Sequence, residues 1–404
     1  MGSVASTPYD PLSDTSQVIS SLVFGPNISR RLGYALGINI LPPGRAFCTY
    51  KCAYCPLFPF LELVPSPEGV GGWPEHQEVA EALASSLCEL SALRRLDALV
   101  VIGNGEPTLH PELPEVLRAV GEVRDLLAPE AELVVFTNSS LLWRDGVPDA
   151  LSEADRVVAK LDAVEEGIWK TINRPHEGLP GLKTILSGLM RLREALPPGS
   201  KLVASVMLLK MGPEGKGNAS EEHLRALSSF LSGLGPDEVH LETPPAPPGT
   251  LLRPLTREEV AEAALRLSDE LGDDKVFILV GTTAPIPVRL LKASKSMGKE
   301  VFKSWAEIPE GALDLLVHGP GARTRLKILE ALSGGKMNCN QVARALGISW
   351  WSAQRHLERL LEAGLVRTVA FGRRTLYALT PKGLSALLAL RSGPVGHNLP
   401  TRLL

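Results

Sequence analysis

No apolar run in this chain approaches the roughly 18 residues that a bilayer-spanning helix needs, so no membrane partner is expected. The stretch Met1 to Asp14 lacks both a basic start and an apolar signal core, so secretion is not expected and the cytoplasm is the expected location. Residues 1–20 read as a disordered tail, and 392–404 as a second one. Only 5 cysteines occur in 404 residues, too few for a disulfide framework. Gln and Asn are scarce while Arg, Glu and Pro are plentiful, a composition of the heat-adapted kind. No internal repeat of fixed period is visible.

Hydrophobic residues make up 44%, enough for a sizeable core, and the length suits two domains. The net charge of −3 conceals an asymmetry. Between Gly321 and Arg391 stand 12 basic residues against Glu330, Glu358 and Glu362, a net +9. The remainder carries 30 basic and 42 acidic residues, a net −12. Such a split marks two modules, one suited to a polyanion.

Strand-like runs at Tyr34–Ile40, Ala98–Ile102, Leu133–Phe136, Arg156–Leu161, Leu202–Leu208 and Glu238–Leu241 alternate with helical patterns, among them His76–Leu93, Leu182–Ala195 and Glu221–Ser232. Alternation of this kind implies parallel βαβ units. Six such units exceed a small doubly wound sheet and fit a partial (β/α)6 TIM-type barrel over residues 21–300. Val276–Val280 is either a seventh strand or an appendage. A Pro- and Gly-containing linker is expected over 301–320. Beyond it, helices at Arg323–Leu332, Asn340–Leu346 and Trp350–Glu362 precede strands Leu365–Val369 and Thr375–Leu379. Three helices and a hairpin are the order of a winged helix-turn-helix, a small α+β domain over 321–391.

Three cysteines form Cys48-Thr-Tyr-Lys-Cys52-Ala-Tyr-Cys55, spaced C-x3-C-x2-C. Chance would produce this spacing on the order of 10⁻³ times per chain. Three thiolates on one loop can wrap one corner of a cubane cluster, where ferredoxin-type sites supply four. The fourth iron is then open to another ligand. A zinc knuckle is the alternative, but it needs a fourth ligand close by, and the next His is His76.

C-x3-C-x-aromatic-C, with Tyr54 at the aromatic position, resembles the signature of the radical S-adenosylmethionine (SAM) superfamily. Further segments extend the likeness over about residues 22 to 250: Ser29-Arg30-Arg31-Leu32-Gly33, Gly103-Asn104-Gly105-Glu106-Pro107-Thr108-Leu109, Thr137-Asn138-Ser139, Lys160-Leu161-Asp162-Ala163, Asn173-Arg174-Pro175-His176 and Glu242-Thr243-Pro244-Pro245. Together they resemble the branch of wyosine-synthase-like proteins. Cys88 and Cys339 cannot supply the second three-Cys cluster of archaeal-type wyosine synthases, which is a departure from that branch. The resemblance implies a [4Fe–4S] cluster on Cys48, Cys52 and Cys55, SAM chelated by the open iron, and a reductant such as ferredoxin or flavodoxin. The cluster would cleave SAM reductively to a 5′-deoxyadenosyl radical, which abstracts hydrogen from a substrate, RNA or protein. Gly103 to Pro107 stand where the family's Gly-Gly-Glu motif meets the methionine amino group, with Asn104 in place of the second glycine.

Polar residues at strand C-termini gather on the active face of a parallel barrel. Asn138, Lys160, Asp162 and Glu242 are therefore cofactor-site candidates beside Tyr54. Ser139 and Met207 share that position, and Arg174 and His176 are candidates for the substrate side. Cys88 is expected buried in an amphipathic helix and Cys339 structural. In the C-terminal module, Arg355 and Arg359 share a helix face, and Arg373 and Arg374 stand at the wing tip, with Leu357, Leu360 and Leu361 expected in the core behind them. Winged helices bind nucleic acid or dock on protein; the +9 charge favours nucleic acid. A cluster- or SAM-sensing transcription regulator is the alternative reading of the whole chain.

Overall fold

The structure, a computed structural model, describes residues 18–29, 31–90, 96–211, 216–244, 252–279, 285–289, 292, 315–316, 321–333, 335–371, 374–380, 382–383 and 386–387. The chain divides into two compact units, Met1–Leu279 and Val280–Leu404.

In the first unit, β1 (Val23–Ser29) pairs antiparallel with β2 (Gly33–Ile38). A small separate pair, β3 (Ala46–Cys48) and β4 (Leu61–Leu63), runs parallel. From β2 onward the main sheet is parallel: β5 (Ala98–Val101), β6 (Glu132–Thr137), β7 (Arg156–Lys160) and β8 (Lys201–Met207) follow in sequence. A small antiparallel sheet of β9 (Leu209–Met211), β10 (Lys216–Gly217) and β12 (Leu252–Pro254) intervenes in the chain. The parallel order then resumes with β11 (Glu238–Glu242) and β13 (Val276–Leu279). The strand order never reverses, which is barrel winding rather than the switch-point winding of a doubly wound sheet. The run at Val276 is thus a seventh parallel strand.

Both faces of the strands are buried, as parallel sheets require. Val100, Val134, Val158 and Val203 line one face with Leu32, Ala35 and Ala98. The helices α1 (His76–Leu90), α2 (Leu113–Leu127), α3 (Val147–Leu151), α5 (Leu182–Ala195), α6 (Glu221–Leu234) and α7 (Arg257–Leu271) pack each on the next, and the short α4 (Glu166–Ile172) follows β7. One layer of helices tracking one sheet is a partial TIM-type barrel. Local chemistry sets the helix ends: the Ser220 hydroxyl caps α6, and Thr256 with Glu259 forms a capping box on α7. Cys88 is exposed, contrary to expectation, because α1 buries Val79, Leu83 and Leu87 and turns Cys88 one residue off that stripe.

The second unit holds the short β14 (Ile286–Pro287), then α8 (Ala322–Ser333), α9 (Cys339–Leu346) and α10 (Trp350–Glu362), followed by the hairpin β15 (Val366–Phe371) and β16 (Arg374–Leu379). Asn338 and Gln341 cap α9 reciprocally, Gly347 ends it in the left-handed region, and Ser349 caps α10. Met337 bridges to Tyr377 beside the hairpin, completing a winged helix-turn-helix. Ile328, Leu329, Val342, Leu357, Leu360 and Leu365 close its core, and Cys339 belongs to it. Leu361 does not: it is 39% exposed, because the buried stripe of α10 runs Ala353, Leu357, Leu360. Arg373 lies outside the described residues, as does most of the 301–320 linker; Arg374 starts β16 opposite Phe371.

Candidate active site

Cys48 ends β3, and the loop to β4 carries Cys52 and Cys55. Tight turns fold it, with the Cys55 N–H donating to Cys52 O at 3.0 Å and the Phe58 N–H to Cys55 O at 3.1 Å. The end of α4 and the segment after it brace it on one side. Lys51 N–H donates to Arg174 O (3.1 Å), Ala53 N–H to Ile172 O (2.8 Å), and His176 N–H to Thr49 O (2.9 Å). Arg174 and His176 thus hold the cysteine loop through their backbones, and the Arg174 guanidinium lies over the Phe58 ring.

The loop after β5 braces the other side. Phe47 N–H donates to Asn104 O, and Glu106 N–H donates back to Phe47 O. Gly105, at φ +138°, must be glycine here, since a Cβ would stand 1.7 Å from Phe47 O. A Cβ on Gly103 would stand 2.3 Å from Asn39 Oδ1. The close approach that calls for these glycines is therefore to the chain itself. Asn104, fully buried, exchanges two hydrogen bonds with the backbone of Ile19, each 2.7 Å, so its carboxamide is spent there. Pro107 is buried in a short 3₁₀ turn.

Glu106 is buried, and its carboxylate accepts from Thr108 N–H (3.1 Å), Thr108 Oγ1 (2.6 Å), Thr137 Oγ1 (2.7 Å) and Asn138 N–H (2.6 Å). The carboxylate that sequence reasoning aims at an ammonium is an internal anchor in the structure, joining the loop after β5 to the end of β6. Burial pushes its pKa up, against the pull of those donors. The residue it holds, Asn138, donates from Nδ2 to Cys48 Sγ (3.2 Å) and to Thr49 Oγ1 (2.8 Å).

Asp162 is a second hub. Its carboxylate takes the Tyr54 hydroxyl, Asn173 Nδ2 (2.7 Å) and Met207 N–H (2.8 Å), with Lys160 Nζ at 3.7 Å. Asn173 Nδ2 also reaches Cys52 Sγ at 3.5 Å. Lys160 stands over the Tyr54 ring at 5.1 Å and is 3.7 Å from Glu242. Glu242 in turn pairs with Arg31 at 2.5 Å. These side chains form a continuous polar line from Arg31 through Glu242, Lys160, Asp162 and Tyr54 to the cysteine loop. Ser139 donates to Lys160 O, at a positive φ of 70°. A partly open cavity of about 20 Å³ lies beside Asn138, Lys160, Asp162, Trp169 and Asn173, room for at least a water. Sequence reasoning missed Arg31, Asn173 and Asn218 as site residues. Asn218 receives Leu209 N–H and donates to Asp162 O and Met207 O, locking the ends of β7 and β8.

The donor set fits a cluster. Burial pushes all three thiols up, Cys52 to about 12, and Cys52 and Cys55 each lie close enough to Cys48 to oppose its ionisation. Three adjacent thiolates in a half-buried loop call for cationic metal to hold their charge. The three thiols come from one loop, and no fourth cysteine stands in that loop, which is the donor set of a cluster with one open iron rather than of a four-ligand zinc knuckle.

Comparison with known proteins agrees. The radical SAM superfamily pattern matches residues 45–214, and a helix-turn-helix domain pattern matches 321–369. The chain is a radical SAM enzyme, of a superfamily that uses a [4Fe–4S] cluster and SAM. It is 32% identical over 266 residues to a UPF0026 protein of Methanocaldococcus jannaschii, covering 64% of this chain and 75% of that one. A UPF0026 protein of Synechocystis is 30% identical over 243 residues, covering 58% and 78%. The chain belongs to the UPF0026 family. Among solved structures, SuiB of Streptococcus suis bound to S-adenosylmethionine overlaps 70% of this chain and 55% of its own, at 14% identity and a TM-score of 0.42. Among the described residues, no helix is long and apolar enough to cross a membrane.

Proposed function

We propose that Cys48, Cys52 and Cys55 hold the [4Fe–4S] cluster, and that this protein uses it to abstract hydrogen from a nucleic-acid substrate recruited by its winged helix. The observation that carries the first half is the half-buried three-thiol loop, braced on both sides, with no fourth cysteine in it. When bound, the cluster and SAM supply an electron transfer that yields methionine and a 5′-deoxyadenosyl radical.

The chain's own residues position and tune. Asn138 and Asn173 donate N–H groups to the sulfurs of Cys48 and Cys52, stabilising charge on them. Asp162 fixes the Tyr54 ring, and Lys160 places a cation beside it. Glu106 acts through Asn138 as a positioning residue, so its loss weakens SAM binding indirectly. Lys160, Asp162 and Glu242 offer charged groups at the strand ends, where a parallel barrel binds its ligands. An acidic reductant such as flavodoxin or ferredoxin suits the Lys51 and Arg174 side chains, which lie against Phe58 on the cysteine loop.

The nucleic-acid half rests on charge: the segment Gly321 to Arg391 carries +9 beside a remainder of −12. Arg355 and Arg359 are exposed on α10. The likeness of the site motifs to wyosine-synthase-like proteins points the same way, toward RNA. The cytoplasm suits a reduced cluster. Anaerobic reconstitution with iron and sulfide, then reduction with SAM and assay for 5′-deoxyadenosine, tests the reading. Zinc without iron on metal analysis would defeat it.

A further inference from the structure

The helix α10 opens on two adjacent tryptophans that its fold does not use. Trp350 is 41% exposed and Trp351 75%, and their rings meet edge to face with centroids 4.9 Å apart. The core of this unit is filled from the other side of α10 by Ala353, Leu357 and Leu360. Two indoles left in water at one spot mark a contact surface. From Trp351, exposed Arg355 and Arg359 follow at intervals of four, so the three form one stripe along the helix. Among the described residues, neither arginine forms a salt bridge. Not every basic residue of the unit is free in this way: Arg325 is buried and donates to Leu315 O at 2.6 Å. Arg355 and Arg359, by contrast, are exposed on the helix face that carries Trp351.

We propose that this stripe binds unpaired nucleotides: a base stacks on Trp351, supported by Trp350, while Arg355 and Arg359 hold the neighbouring phosphates. The inference rests on the nucleic-acid reading above and narrows it from any polyanion to strands with accessible bases. Reading a duplex through the major groove needs side chains that bond base edges in pairs, such as Arg, Asn or Gln, at the start of the recognition helix. Two tryptophans there have bulk and a single donor each. An indole face instead suits the exposed face of an unstacked base, and it does so without sequence preference. Enzymes that act on a base also need it out of the helical stack, so a stacking platform serves a substrate-recruiting module. An apolar protein partner would use the indoles but not the flanking arginines, and the +9 of this segment favours a polyanion.

The test measures fluorescence anisotropy of the full-length protein with labelled probes of roughly 12 nucleotides: unstructured RNA, DNA of the same sequence, and a blunt RNA duplex. The single strands should bind more tightly than the duplex. Trp351→Ala should weaken single-strand binding by about 5- to 100-fold, the usual loss on removing one stacking ring, and leave duplex binding nearly unchanged. Trp351→Phe should keep most of the affinity, which separates stacking from misfolding. A preference for RNA over DNA would indicate contacts to the 2′-hydroxyl and identify the source strand. Duplex preference, or equal losses on all probes, overturns the stacking proposal alone. No binding of any probe at low salt overturns the nucleic-acid reading itself and assigns the tryptophans to a protein contact.

Discussion

Asn138 and Asn173 are the side chains whose removal should be read most clearly. Each donates an N–H to a cysteine sulfur, Cys48 and Cys52 respectively. Such bonds favour the more negative, reduced cluster, so Asn138→Ala and Asn173→Ala should each shift its reduction potential to more negative values. A redox titration followed by electron paramagnetic resonance checks this, and unchanged potentials would contradict it. Cys52→Ala should lose most iron, whereas Cys88→Ala, on an exposed thiol, and Cys339→Ala should keep it. The cysteine motif was legible because three ligands from one loop need a fixed spacing. Asn173 was not, because it meets Cys52 across 121 residues and only the fold joins them. Glu106 was found, but its partners were only half legible: Thr108 is two residues away, whereas Thr137 and Asn138 reach it from the end of β6 through the fold.

Among the elements, the contact between β3 and the loop after β5 carries the site. Gly105→Ala puts a methyl group 1.7 Å from Phe47 O at a positive φ and should cost at least about 2–4 kcal/mol. Its iron content should fall with its stability, because β3 ends in Cys48. Gly121→Ala, inside α2 with nothing within 4 Å of the new Cβ, should instead stabilise by about 0.4–1 kcal/mol. Thermal unfolding of the pair distinguishes a glycine required by contact from one merely tolerated. The parallel strands were legible from their uninterrupted apolar runs, since burial on both faces leaves that mark. β1 escaped because Gly25 and Pro26 interrupt it and its pairing partner supplies the order. β9, β10 and β12 are too short to leave a pattern, and Leu361 looked like core because leucines at 357, 360 and 361 do not by themselves show where the buried stripe ends.

The whole molecule joins an acidic barrel to a basic winged helix. Nucleic-acid binding by the latter should fall with salt, with log K declining by about 0.9 per log unit of salt for each duplex phosphate neutralised and about 0.7 for single strands. Replacing Arg355 and Arg359 together should lower that slope by up to about 2. A slope unaffected by the double substitution would remove them from the interface. The charge split was legible in the sequence, being a sum over residues. Which of those charges reach the surface was not: Arg325 is core, a fact only packing decides.

One anaerobic measurement decides whether this is a cluster-bearing enzyme that cleaves SAM. Reconstituted protein is reduced with SAM present, and 5′-deoxyadenosine and methionine are quantified beside the same reaction of Cys52→Ala. Both products should form in equal amounts from the wild type, and neither from the variant. A wild type that holds its [4Fe–4S] cluster, is reduced, and leaves SAM intact would contradict it, and would return the chain to the reading of a cluster-sensing regulator.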